Sequence, residues 1–335
     1  MILVVDRRDT VLRYQSGCIR IEQPEQKPQR AAISQLEQVI IIGNPLAETA
    51  VWRELAAANV PTVMLSARGE LQAAMLGSGL AVQLPLRRLQ HRCASQAQAA
   101  LSMAKWFVDL KLQSYDLSLQ TLADYHRAEE SVCQEFKQLS INTRLKVSQA
   151  ESIAELMGLE GQQARVWFGL LAQYLPAKWK FTGRNRQPPK DPVNALLSLG
   201  YTLLMSDIRQ ALLTSGFDPS LGFLHQDAPG RESLTLDFTE IFRSGVDSFV
   251  LTWIATQELD DSSFYYRAEE GCRLSKEARP KFFGAWAAYR EEWQRPFLNA
   301  QQRADDWPTC HLPEQINGQI AKTREFMKTL ELSSE

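Results

Sequence analysis

The hydrophobic pattern of this chain changes period once, near residue 86, and that change limits the fold more than any other feature. Before it, short β-branched runs at 2–5, 11–14, 18–21, 39–42 and 62–65 are separated by turn residues, as strands are. One helix interrupts them at 47–58, where Val51, Leu55 and Ala58 share a face and Gly43-Asn44 and Asn59 punctuate the ends. From Leu86 onward, apolar residues recur at helical spacing through 88–113, 116–140, 147–175, 191–215, 233–257 and 274–303, with a further helix at 314–330. The pattern predicts an α+β chain: a small N-terminal β-rich domain over 1–88, then a larger all-α C-terminal domain over 89–335. The strand connections are too short for a doubly wound sheet, and no glycine-rich phosphate loop follows a strand.

Composition narrows the setting. With 335 residues and 44% hydrophobic content the chain can bury a sizeable core, and no window reaches the roughly 18 apolar residues that a membrane span needs. No basic stretch followed by a long apolar run opens the sequence, so a cytoplasmic protein without membrane contact is expected. Cys18, Cys93, Cys133, Cys272 and Cys310 are odd in number and scattered, which suits reduced thiols better than a disulfide framework or a thiolate metal cage. A net charge of -2 does not exclude a nucleic-acid partner, because 37 basic residues can gather on one face.

Three carboxylates and a histidine stand out. Glu160 falls on the same helical stripe as Leu156, Ala164, Trp167 and Leu171, where a carboxylate is costly unless it is paired or binds a metal. An ion pair with Arg165 or another buried arginine satisfies that demand, and so does a metal. His225 lies in a loop between two helical segments, in apolar surroundings where a structural histidine is the commoner reading. The helix from Ser233 then puts Asp237 and Glu240 on one face, one turn apart. Such a pair is either a solvated acidic face or, with one histidine nitrogen, a ligand set suited to Mg²⁺ or Mn²⁺ acting on phosphates. Upstream, Lys178-Trp-Lys-Phe-Thr-Gly-Arg-Asn-Arg186 interleaves basic and aromatic residues before Pro188-Pro-Lys190, and Asp191 is placed to cap a helix opening at Pro192 with Asn194 in its first turn. Cys310-His311 is a weaker metal candidate that nothing else in the chain completes.

Taken in order, these motifs resemble those of the CRISPR-associated endonuclease/integrase family, the near-universal Cas protein that inserts new spacers into CRISPR arrays. The matching residues are Ile42-Gly-Asn44, Gly158-Leu-Glu-Gly161 with Ala164-Arg165, Pro188 to Leu197 extended to Gly200-Tyr201, Gly222-Phe-Leu-His225, Gly230-Arg231, Ser233 to Asp237 and Glu240-Ile-Phe-Arg243, spanning about residues 1–300. The resemblance implies metal ligands, and catalytic residues, at Glu160, His225 and Glu240, with Asp237 as an alternative or supporting carboxylate, and Mg²⁺ or Mn²⁺ as cofactor. It implies that protospacer DNA is joined to a CRISPR repeat when a 3′-hydroxyl attacks a phosphodiester. Candidates for contact with the double-stranded DNA are Arg165, Arg184, Arg186, Lys190, Asn194, Tyr201 and Arg231. The implied partners are a second copy of the chain, dimerised through the β domain, and a small ferredoxin-like second Cas protein that bridges two such dimers. A reverse transcriptase, associated or fused, is a further candidate partner. Two rival readings stand beside this one: a non-catalytic DNA-binding scaffold, and a metal-dependent nuclease acting on branched DNA outside CRISPR immunity.

Overall fold

The isoleucine-rich run at the centre of the β region is fully buried and pairs on both edges. In the computed structural model, which describes residues 1–7, 9–66, 71–75, 83–185, 188–257, 259–294 and 309–332, strand β1 (Ile2–Val5) and β5 (Gln38–Ile42) lie parallel, as do β5 and β7 (Thr62–Leu65). Strand β8 (Leu71–Met75) closes this sheet antiparallel to β7. A continuous apolar strand suits such a position, since both faces of β5 are covered. The crossover from β1 to β5 carries the hairpin of β2 (Val11–Gln15) and β3 (Cys18–Glu22) with β4 (Gln29–Ala32), and β6 (Leu46–Ala47), which follows β5, completes a second sheet of order β4-β3-β2-β6. Ser16 and Gly17 turn that hairpin at φ of 50° and 77°, the left-handed pair that a two-residue turn requires. Helix α1 (Thr49–Ala57) makes the crossover from β5 to β7, and its Val51 and Leu55 join Leu12, Ile19, Val39 and Ile41 in one core. Strands β4 (Gln29–Ala32), β6 (Leu46–Ala47) and β8 go beyond the expected set. Two of them show why: β4 reads Gln-Arg-Ala-Ala and β6 has two residues, so neither has a β-branched run.

Met1–Val82 and Gln83–Glu335 form two compact units, dividing just ahead of α2 (Leu84–Ser95). In the second unit α3 (Ala97–His126) and α7 (Ser233–Thr256) are the central pair, with α6 (Pro192–Ser215) against α7. Around them lie α4 (Glu130–Gln149), α5 (Ile153–Tyr174), α8 (Arg279–Glu291) and α9 (Leu312–Leu332). The helix break expected at 113–116 does not occur. Instead α3 runs through it, because Ser114 and Ser118 turn their hydroxyls back onto the carbonyls of Lys111 and Tyr115, at 2.7 and 3.2 Å, and so stay satisfied inside the helix. The break comes at Arg127, left-handed at φ 59°. The helix expected over 274–303 opens on the last residue of a hairpin, β9 (Phe264–Arg267) with β10 (Gly271–Leu274), continues as α8 and ends at β11 (Trp293–Gln294), which pairs with β12 (Thr309–Cys310); residues 295–303 lie outside the described residues. No helix among the described residues is long and apolar enough to cross a membrane.

Candidate active site

Local sequence signals aim the three elements that carry the site. Helix α5 starts at the Ser152 cap, whose side chain accepts from the Glu155 amide at 3.2 Å while the Glu155 carboxylate accepts from the Glu151 amide at 3.0 Å. This start sets the phase that turns Trp167 and Leu171 into the core and leaves Glu160 at its margin. Helix α7 is buried on nearly every side, so both Asp237 and Glu240 are carried into the interior. The paired cation expected beside Glu160 is a lysine rather than Arg165, which is exposed. Lys111 of α3, 3% exposed, donates to Glu160 Oε1 and to Glu240 Oε2, the latter at 2.5 Å. The other oxygen of Glu240 takes Arg243 at 3.1 Å. Burial, the largest influence on Glu240, would raise its carboxyl, yet Arg243, Lys111 and, more weakly, His225 carry it down to about 2.

Asp237 is 0% exposed and fully engaged. Its Oδ2 accepts from the backbone amides of Phe223 and Leu224 at 2.6 and 3.1 Å, and its Oδ1 from the amide of His225 at 3.0 Å and from His225 Nδ1 at 2.7 Å. A carboxylate can only accept, so the His225 Nδ1 must carry a proton, and Nε2 is the ring nitrogen that Asp237 leaves uncommitted. Asp237 therefore folds the Gly222–His225 loop onto α7 and fixes the histidine tautomer, with no oxygen left over for an ion. Gly222 is required here, since a Cβ at that position would meet the Ser233 backbone at 2.7 Å and the Asp237 carboxylate at 2.9 Å.

A second buried network backs the first. Asp247, one side of α7 further on, accepts from Trp167 Nε1 at 2.8 Å and from the Tyr201 hydroxyl. Burial raises the Asp247 carboxyl, against the pull of those two bonds and of Arg243, and it holds the Tyr201 phenol well above its ordinary range. Arg243 and Arg184 both stack on the Tyr201 ring, at 4.9 and 5.5 Å to its centre. Arg184 also donates to Asn194 Oδ1 at 2.8 Å and to Ser198 at 3.1 Å. Asp191 caps α6 as expected, accepting from the Asn194 amide at 2.9 Å, while the Asn194 side chain donates to Gly183 O and Asp191 Oδ2 at 2.9 and 2.7 Å.

The residues expected to contact DNA differ in exposure. Arg165 and Lys190 are exposed, and Arg184 and Arg231 half-buried; Arg186 lies outside the described residues. Asn194 and Tyr201 are 0% and 6% exposed, with their polar groups committed inside the protein to Gly183, Asp191, Arg184 and Asp247. Lys111 and Asp247 have no place in the sequence reading, and Trp167 enters it only as part of the apolar stripe of α5. The signal for Lys111 was present, because it shares the stripe of Ala104, Phe107, Val108 and Tyr115 on α3. His311 stands 3.7 Å from Glu291, and the side chain of Cys310 lies outside what is described.

Comparison with known proteins shows how far this arrangement is shared. The fold matches that of a casposase bound to its integration product with a TM-score of 0.82, over 98% of this chain and 90% of the other at 20% identity. It matches a chain of a Cas6-RT-Cas1–Cas2 complex at 0.77, over 98% of this chain and 35% of that one at 21% identity. The architecture is thus one that this chain shares with a casposase and with a chain of a Cas1-containing complex. Sequence narrows it further: the CRISPR-associated endonuclease Cas1 1 of Thermodesulfovibrio yellowstonii is 31% identical over 294 residues, 86% of this chain and 90% of the relative. Residues 3–288 match the family described as CRISPR associated protein Cas1, and the chain belongs to the Cas1 family of endonucleases and integrases.

Proposed function

We propose that this Cas1 family member is a metal-dependent DNA endonuclease and integrase that joins the 3′-hydroxyl of protospacer DNA to a CRISPR repeat by transesterification. The observation that carries the reading is that Glu160 of α5 and Glu240 of α7 already grip one cation, the Lys111 ammonium, while Asp237, one turn before Glu240 on α7, holds the His225 ring. Two hard carboxylate oxygens and a neutral imidazole nitrogen, His225 Nε2, fit Mg²⁺ or Mn²⁺. Glu160, His225 and Glu240 would hold the ion, and Asp237 would orient His225. A bound Mg²⁺ or Mn²⁺ would supply Lewis acidity at the phosphorus centre and a more acidic attacking hydroxyl.

The protein's own groups do the rest. Arg243, fixed between Glu240 and the Tyr201 ring, sets positive charge beside the reacting phosphate, while Arg165, Arg184, Arg186, Lys190 and Arg231 hold the flanking backbone and align it. In the transfer the 3′-oxygen bonds to phosphorus, the bond to the 3′-oxygen of the repeat strand breaks, and one proton is lost by the attacking oxygen and one gained by the departing one. The β unit is proposed to dimerise the chain, with two dimers bridged by a small ferredoxin-like second Cas protein, in line with the Cas2 component of the related complex. Its reverse transcriptase component supports the same kind of partner here, which would admit RNA as a spacer source. Acting on cellular DNA, the protein works in the cytoplasm.

The test is strand transfer of a labelled 3′-hydroxyl duplex into a supercoiled repeat plasmid with Mn²⁺. Glu160→Ala and His225→Ala are expected to abolish the product while retaining duplex binding. Undiminished product from either variant would leave the scaffold reading in its place.

A further inference from the structure

We propose that Lys111 is the resident cation of the DNA-free enzyme, so that loading the divalent ion is an exchange of ammonium for metal that DNA phosphate must help to drive. This rests on the reading above that Glu160, His225 and Glu240 bind a metal. The Lys111 ammonium touches Glu160 on α5 and Glu240 on α7 from a third helix, α3, and so occupies the space between the two oxygens that an ion needs. Arg243 holds the remaining Glu240 oxygen. The two carboxylates are thereby balanced by two cations before any metal arrives. The neighbouring carboxylates have their oxygens committed elsewhere: Asp237 accepts from three loop amides and His225, and Asp247 from Tyr201 and Trp167. A divalent ion entering between Glu160 and Glu240 meets the Lys111 ammonium already there, and two cations sharing one pair of carboxylates in a buried site repel each other.

Two things relieve it. The ammonium can withdraw into the small cavity beside it, lined by Tyr115, Tyr201, Glu240 and Asp247, where the Asp247 carboxylate faces it. The backbone of bound DNA then supplies the missing negative charge at the mouth of the site. Metal and DNA are in this way thermodynamically coupled, each tightening the other by the same factor. Lys111 is a positioning residue that keeps the carboxylates loaded and the centre silent toward free metal until a phosphodiester is present.

The experiment is Mn²⁺ titration of the full chain, followed by the electron paramagnetic resonance of free Mn²⁺, with and without a duplex ending in 3′-deoxy nucleotides that cannot react. In wild type the duplex is expected to tighten Mn²⁺ by about tenfold or more, within the usual span of coupling between sites. Lys111→Met, of similar length and uncharged, should bind Mn²⁺ about tenfold more tightly than wild type without DNA and lose most of the response to DNA, whereas Lys111→Arg should behave as wild type. Equal affinity of wild type and Lys111→Met would overturn the exchange and spare the metal site. An absence of Mn²⁺ binding in every variant, with and without DNA, would overturn the metal reading itself. Should Lys111→Met fail to fold, ¹⁵N-lysine spectra of wild type decide the matter: Mg²⁺ with duplex must displace the Lys111 ammonium resonance, identified by its loss in Lys111→Arg, and an unmoved resonance would sink the proposal.

Discussion

At the scale of single residues the site is a problem of lone pairs. Asp237 collects four hydrogen bonds with its two oxygens, and replacing one oxygen by an amide nitrogen would set a donor against donors. Asp237→Asn is therefore expected to lower strand transfer about 10–100-fold, the usual cost of losing a partner that orients a ligand. The accompanying sign is a change of the His225 tautomer in ¹⁵N spectra of the ring; loss of activity with an unchanged tautomer would mean that Asp237 acts in some other way. This division of labour between Asp237 and Glu240 could not be read from spacing, since both fall on one face of α7. Backbone amides of the 222–225 loop decide it, and where a loop folds back is not encoded in helical periodicity. Lys111 is marked only in part: its place on the apolar stripe of α3 signals burial, but a lysine in a leucine-rich helix is ordinarily a solvated side chain. Only the buried carboxylates on two other helices give its position meaning.

At the scale of elements, the β-branched runs and long amphipathic stretches were legible because each carries its own period. Edge strands were not, since β4 and β6 exist only by pairing with β3 and β2. The helix ends were misplaced wherever polar side chains close on their own backbone, as Ser114 and Ser118 do in α3. The true end of α3 carries a pH dependence of its own. There the half-buried His126 meets the Leu251 carbonyl of α7 at 3.0 Å through Nε2, and burial, outweighing that hydrogen bond, lowers its pKa below the ordinary 6.5. The unfolded chain thus takes up a proton at a higher pH than the folded chain does. Stability that is complete above about pH 6.5 is lost as the pH falls below it. Thermal melts at pH 7.5 and 5.5 should show His126→Gln losing less stability on acidification than wild type. Equal losses would mean that the α3–α7 junction does not resist protonation.

At the scale of the whole molecule, the question is how a chain of net charge -2 holds a polyanion. Affinity for duplex DNA depends on the basic groups that meet phosphate, and each such contact contributes about -0.9 to the slope of log affinity against log salt. Arg165 and Arg184 separate binding from folding. Arg165 is exposed on α5, on the helix that carries Glu160, and it enters none of the buried networks of the site. Arg184, in contrast, ties Asn194, Ser198 and the Tyr201 ring together. Arg165→Ala should weaken binding alike for every duplex sequence, reduce the salt slope by about one and leave the melting temperature unchanged. Arg184→Ala should reduce the slope by a similar amount but also lower the melting temperature, because it removes the hydrogen bonds to Asn194 Oδ1 and Ser198 on α6 and the stacking on Tyr201. Fluorescence anisotropy of a labelled duplex over a range of NaCl concentrations, paired with thermal melts, reads both. A salt slope unaltered by Arg165→Ala would move the DNA path off the outer face of α5 and onto the Arg184–Lys190 side of the site.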